Sequence, residues 1–308
     1  MTDPAKGKCL MKRTTAGALI GIPCLALFLH AQSGQAPQPI TLVPVSGPVS
    51  MLQGGGGNIG VVADEAGLVL IDAMFEGAAA GIRNAVKPLP GGDRIRALIV
   101  THWHSDHTDG IKALGSGAII ISHENTRALL ARDQALMGGE TKALPAEALP
   151  TITFKDGLTL YAGGGAIRLA HYARAHTDGD TVVFMGGPKV VHMGDMFFNG
   201  MFPFLDVAHG GDIRNWVKDL DTILATLPAD MKIIPGHGPL ATAADLRAFR
   251  DMLVVSADHV AKQMKAGKTL DEIKAAGLPP ILEPWAKGFM KGPRWLELVY
   301  QSLEARKE

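Results

Sequence analysis

Short β-branched runs separated by glycine open the patterned part of the chain: ITLVPV from Ile40, NIGVVAD from Asn58 and GLVLIDA from Gly67. Runs of this length and punctuation predict antiparallel strands. GGGG at residues 54–57 predicts a turn, because a phosphate cradle needs a following helix and a lysine, and neither follows. Residues 75–87 take helical spacing and stop before Pro88, after which 95–100 reads as a buried strand. A helix over 108–114, a strand over 118–122 and a helix over 125–132 continue an alternation that predicts an α/β fold. Residues 133–150 carry glycine and proline without period, the pattern of a long functional loop or mobile flap. The second half predicts strands at 151–154, 158–161, 166–172, 181–185 and 189–192, then helices over 213–227 and 245–265 flanking a strand at 232–234. Element order is similar in the two halves, without a sequence repeat, and the chain from about 242 onward reads as a helical extension.

The first residues break this pattern. Lys6, Lys8, Lys12 and Arg13 precede the apolar segment 14–29, the layout of a secretory signal peptide over 1–31. The segment contains Pro23 and is short for a span of about 20 residues. A polar, proline-bearing linker over 32–39 follows, so the expected globular domain is 40–308 and the expected location is periplasmic or secreted. Removing 1–31 takes away four cations and Asp3, which turns a net charge of zero into −3. It also removes Cys9 and Cys24, both cysteines of the chain, so any metal must be held by histidine and carboxylate. Apolar residues make up 47% and charged residues 19%, ordinary for a compact protein. No basic run is long enough to track phosphates, which argues against nucleic acid; after leader removal nothing argues for a membrane. A small molecule is the expected partner.

VTHWHSDHTDG, residues 100–110, then sets the chemistry. His102, His104, Asp106 and His107 lie within six residues at a strand's C-terminal end, more ligands than one tetrahedral ion bound elsewhere as well would need. Two metals are implied. AHTDGD offers His176, HMGD offers Asp195 and PGHG offers His237, each on a loop beside a predicted strand.

THWHSDH, AHTDGD, GD and PGHG in this order resemble the metallo-β-lactamase superfamily, over about residues 40–240. The resemblance implies a four-layer αβ/βα sandwich of two mixed sheets with metals at one edge. It implies His102, His104 and His176 around the first ion, Asp106, His107 and His237 around the second, and Asp195 bridging them. Two zinc ions are expected, with iron or manganese as alternatives. Asp106 is also the expected general base, holding the proton of the attacking water. Asp72, ending GLVLID, matches a family aspartate that orients the histidine loop. Trp103, Phe198, Asn199 and Phe202 are candidates for the substrate pocket. His123, His171, His192, His209 and His259 carry no motif and read as surface or hydrogen-bonded core histidines.

Family β-lactamases usually have cysteine or serine where this chain has Asp195, which argues against strong β-lactamase activity. A glyoxalase II-like thioesterase would need a basic, tyrosine-bearing platform, and the tail offers Lys262, Lys265 and Lys268 without an obvious tyrosine partner. The expected function is metal-dependent hydrolysis of a small-molecule ester, lactone or amide, β-lactams included. A β-lactamase proper and the thioesterase are the alternatives; an iron-binding redox or oxygenase protein and a non-catalytic zinc binder are alternatives of other classes.

Overall fold

The computed structural model of the protein describes Met1 and residues 39–305. The expected leader over 1–31 and linker over 32–39 therefore lie, but for Met1 and Pro39, outside the described residues. Four strands open the fold as an antiparallel meander: β1 (Thr41–Ser46), β2 (Val49–Gln53), β3 (Ile59–Asp64) and β4 (Gly67–Ile71). The sheet then turns parallel with β5 (Ile95–Val100), β6 (Ile119–His123) and β9 (Ile152–Phe154), in the order β1-β2-β3-β4-β5-β6-β9. The second sheet runs β10 (Gly157–Ala162), β11 (Gly165–Tyr172), β12 (Asp180–Met185), β13 (Val190–His192) and β14 (Lys232–Ile234), with only the last pair parallel.

Side chains of period two decide how the sheets stack. On β4, Val69 and Ile71 face inward and meet Leu169, Val183 and Met185 of the second sheet. Leu68 and Leu70, one residue out of phase, face outward onto Ile82 and Val86 of α1 (Ala79–Val86) and Leu114 of α3 (Ile111–Leu114). Likewise on the second sheet, Val191 and Ile233 face Trp216 and Ile223 of α5 (Ile213–Thr226) and Phe249 of α6 (Ala243–Lys265). Sheets on the inside with helices on both outer faces make an αβ/βα sandwich.

Several elements differ from the sequence reading, each for a local reason. β2 was not predicted because its first four residues, Ser50 included, are all buried, so no alternation marks it. The single helix expected over 108–114 is split into α2 (Ser105–Thr108) and α3, because Gly110 packs against the backbone of Ala73, where a Cβ would collide. Residues 133–150 contain a hairpin of β7 (Gln134–Leu136) and β8 (Gly139–Thr141), joined through Met137 and Gly138. Both turn residues have positive φ, 51° and 82°, matching a type I′ turn.

The C-terminal extension completes the outer layer of the second sheet. α6 starts in a capping box between Thr242 and Asp245. Trp295 of α8 (Gly292–Glu304) is fully buried, stacks on Phe202 at 5.3 Å and donates to Ser256 Oγ of α6 at 2.9 Å. The remaining helices are α4 (Glu124–Leu130), which follows β6, and α7 (Leu270–Ala276), which packs on α8.

Candidate metal centre

Every candidate ligand lies just past the C-terminal end of a strand, on a loop or a short helical turn, so both sheets deliver side chains to one rim. After β5, the loop carries His102 and His104 and helix α2 carries Asp106 and His107. The second sheet delivers His176 before β12, Asp195 after β13 and His237 after β14. The structure brings all seven together as two groups: His102, His104, His176 and Asp195, and Asp106, His107 and His237. In the first group His104 Nδ1 lies 3.1 Å from His102 Nε2 and 3.0 Å from His176 Nε2. Asp195 Oδ2 is 3.6 Å from His102 Nε2 and 3.5 Å from His176 Nε2. Its other oxygen, Oδ1, turns to the second group, 3.0 Å from His107 Nε2 and 3.4 Å from His237 Nε2. Asp106 Oδ2 closes that group at 3.2 Å from His237 Nε2 and 3.7 Å from His107 Nε2.

These separations fit metal coordination. Ligand atoms 2.0 to 2.1 Å from a tetrahedral zinc are about 3.3 Å apart, and the spacings above cluster around that edge length. Asp195 Oδ1 is buried and accepts no hydrogen bond, although two imidazole nitrogens face it. A buried carboxylate oxygen left that way is costly unless a cation completes it. The backbone is also built for close approach: a Cβ on Gly57 would meet the His107 ring, and one on Gly236 would meet Asp195 Oδ1. The GGGG turn thus closes over the histidine loop, with Gly57 N donating to Asp106 O at 2.9 Å.

The outward ring nitrogens are held as well, which fixes tautomer and orientation. His107 Nδ1 donates to Asp72 Oδ2 at 2.8 Å, and His176 Nδ1 to Phe204 O at 2.8 Å. His102 Nδ1 meets Thr101 Oγ1 at 3.0 Å, and that hydroxyl donates to Asp72 Oδ2 at 2.8 Å. Asp72 is wholly buried and also accepts Thr101 N, so one carboxylate steadies two histidines. His104 Nε2 donates to Asp206 Oδ2 at 2.9 Å. Asn58, at the start of β3, donates to Pro235 O and Gly238 O at 2.9 Å each and pins the loop carrying His237.

Electrostatics divide the histidines. Burial pushes His102 well below the usual histidine range and His176 down to about 4, leaving both neutral, as ligands must be. At His107 and His237 burial also pulls down, but the facing carboxylates outweigh it. Asp195, Asp106 and Asp72 raise His107 well above its usual range, and Asp195 with Asp106 raises His237 to about 9. Asp106 answers in kind: burial raises it, yet His107 and His237 hold it at about 2, so it is ionised at neutral pH.

The pocket candidates are placed differently from expectation. Trp103 is 1% exposed and wedged edge-on between His104 and His209, with ring centroids 4.7 and 4.6 Å away. Its neighbours 102 and 104 point to the ligand cluster, so its own side chain goes to the outer core. Phe202 is spent on Trp295, and Phe198 is fully buried, stacked on His237 at 4.8 Å. Asn199 Nδ2 donates to Pro239 O at 3.0 Å. The aromatic side chain that does stay open beside the centre is Phe289, 53% exposed and 6.5 Å from both His237 and Phe198. Sequence reasoning missed Phe289, Asn58, Thr101 and Asp206. Thr101 lay inside the singled-out stretch, whereas Asp206 is 102 residues from the histidine it holds and has no local signal. His123 and His171 stack on each other at 3.6 Å, His209 bonds Asp206, His192 bonds Asn58 O and His259 bonds Gln263.

Comparison with known proteins agrees with this geometry. The metallo-beta-lactamase type 2 of Bacteroides fragilis is 25% identical over 146 residues, 47% of this chain and 54% of that protein. The linear primary-alkylsulfatase of Pseudomonas sp. (strain ATCC 19151) is 25% identical over 233 residues, 61% of this chain and 44% of that protein. The chain thus spans about half the length of these two relatives. Among solved structures, a double mutant of the sec-alkyl sulfatase PisA1 superposes with TM-score 0.65 at 18% identity, over 86% of this chain and 50% of that one. The DIM-1 metallo-beta-lactamase superposes with TM-score 0.58 at 20% identity, over 71% of this chain and 99% of that one. These likenesses give the fold. Residues 52–237, more than half of the sequence, match the family model described as Metallo-beta-lactamase superfamily, and the chain belongs to that superfamily.

Proposed function

We propose that the protein is a two-zinc hydrolase of a small-molecule ester, lactone or amide. The observation that carries this reading is the shared carboxylate: Asp195 offers one oxygen to each of two ligand groups. His102, His104 and His176 would hold the first ion and Asp106, His107 and His237 the second. Such ions, when bound, would lower the pKa of bound water to about 7 and would polarise the scissile oxygen.

Within that frame the chain's own groups divide the work. The Asp106 side chain is 26% exposed, against 4% for Asp195, so it is the carboxylate of the cluster that reaches solvent. Being ionised, it takes and holds the proton of the attacking water and returns it to the leaving group. Phe289, with the imidazole of His237 beside it, offers an apolar wall to the group next to the scissile bond. Phe198, Phe204 and Trp216 back the His176 ring and keep water from that side.

A panel of chromogenic lactams, lactones, carboxylic esters, thioesters and phosphodiesters, assayed with zinc-loaded protein, tests the reading. Turnover that disappears in Asp106→Ala with metal content retained supports it; no turnover on any substrate counts for a zinc-binding protein without catalysis. Metal analysis of the purified protein decides between zinc and iron, since two iron atoms with visible absorbance would overturn the zinc assignment. Sulfate esters form a second reading, favoured by the two alkylsulfatases among the relatives and neighbours, and belong in the same panel. The basic, apolar N-terminal segment supports export, which N-terminal sequencing of protein from the extracytoplasmic fraction tests.

A further inference from the structure

His104 differs from the other histidines of the cluster in facing it with Nδ1, which sends Nε2 outward to Asp206 Oδ2 at 2.9 Å. The polar chain continues from there. Asp206 Oδ1 accepts His209 Nδ1 at 2.8 Å, and His209 Nε2 lies 3.2 Å from Oε1 of Gln134, the first residue of β7. The orientation of that amide is set by its other end. Gln134 Nε2 donates to Leu129 O at 3.0 Å, and a backbone carbonyl can only accept, so the amide oxygen must face His209. The two ring nitrogens of His209 therefore face a carboxylate and an amide oxygen, both acceptors. Asp206 is 2% exposed, and Trp103 shields both histidines edge-on, so the chain runs where water competes little. Residue 206 is also tied to a second ligand, its backbone N donating to His176 O at 3.1 Å.

We propose that Gln134 and His209 are positioning residues for the first metal group, through which the β7–β8 hairpin holds His104 in its ligating orientation. This inference rests on the reading of His104 as a ligand. The sequence reads residues 133–150 as a functional loop or mobile flap; on this inference its hairpin influences the ion without touching it. Displacing the hairpin withdraws the Gln134 acceptor, frees His209 and loosens the carboxylate that His104 leans on.

Cobalt titration of the metal-free full chain against a chelator tests this, reading both affinity and the visible absorption bands of the first ion. Gln134→Met keeps the length of the side chain and removes the acceptor; it should weaken the first ion by about tenfold, the low end for groups that orient ligands, and shift the bands. Gln134→Glu keeps an oxygen facing His209 and should restore affinity and bands to near wild type. Met137→Ala, at the exposed turn that closes the far end of the hairpin, should change neither. Gln134→Met binding cobalt like wild type, or Gln134→Glu failing as badly as Gln134→Met, overturns the inference alone. Wild-type protein that takes up no cobalt overturns the metal reading and this inference with it.

Discussion

Asp72 ends β4 with φ at 69°, a left-handed conformation that costs a non-glycine residue energy and persists where the surroundings demand it. The demand is visible: only from that turn does its carboxylate reach Thr101 N, Thr101 Oγ1 and His107 Nδ1 together. Asp72→Ala should lower metal affinity by about ten- to a hundredfold, read by chelator competition, with the sandwich still folded. The family resemblance at the end of GLVLID made Asp72 legible in the sequence. Asp206, doing the same for His104, follows Phe204-Leu205 in an unremarkable stretch, and only the fold brings it near. His192, for which the sequence leaves a surface or a hydrogen-bonded core role open, is buried, and its bonding carries a pH consequence. Nδ1 accepts Gly194 N and Nε2 donates to Asn58 O, a pattern only the neutral ring satisfies. Burial pushes it down to about 4, below the usual 6.5 or so of the unfolded chain. The unfolded state then binds the proton first, so stability is full above about pH 6.5 and declines as pH falls toward 4, by at most about 1.4 kcal/mol per unit from this group. His192→Gln should flatten that decline in urea titrations of metal-free protein; an unchanged slope would remove His192 as a source.

Among the elements, those with a clean period were legible and those without were not. β4 and β5 announce themselves as apolar runs, and α6 by its helical spacing, although its capping box starts it two residues before the expected 245. β2 is buried on both faces and short, and β7 and β8 hold together through a two-residue turn whose second residue alone, Gly138, hints at it. The helical tail was legible as helix, but its destination was not, because amphipathic spacing says which face is buried and not against what. The structure places Trp295 of α8 in the same core as Phe202 and Phe249. Trp295→Ala should therefore cost about 3–5 kcal/mol, measurable as a shift in the urea midpoint, and a chain stopped at 242 should fail to fold. The segment before α8 serves the centre instead. Phe202 N donates to Trp285 O at 2.9 Å, and the backbone at Gly288 presses on Met201, so Phe289 is held open beside His237. Phe289→Ala should raise KM for esters with an apolar group beside the scissile bond by about fivefold, leaving kcat and small acetates nearly unchanged.

For the molecule as a whole, the decisive feature is which sheet supplies which ligand. His102, His104, Asp106 and His107 come from the first sheet, and His176, Asp195 and His237 from the second. Each group draws on both, so an ion in either place ties the two halves of the sandwich at their shared rim. The inner core of Val69, Ile71, Leu169 and Val183 also joins the sheets, independently of the ligand groups. Bound metal adds to it by mass action: an ion present at a thousand times its dissociation constant contributes about 4 kcal/mol, since the dispersed ligands of the unfolded chain bind it far less. Removing both ions with a chelator should therefore lower the melting temperature by about 10 °C or more, and restoring zinc should recover it. His176→Ala separates this from general damage. It cuts the second sheet's histidine out of the first group, so its melting temperature with metal should fall most of the way to the chelated value while its chelated value stays near that of the wild type. Equal losses in both conditions would mean that the His176 ring acts through packing, and that the two halves are not tied through the first ion.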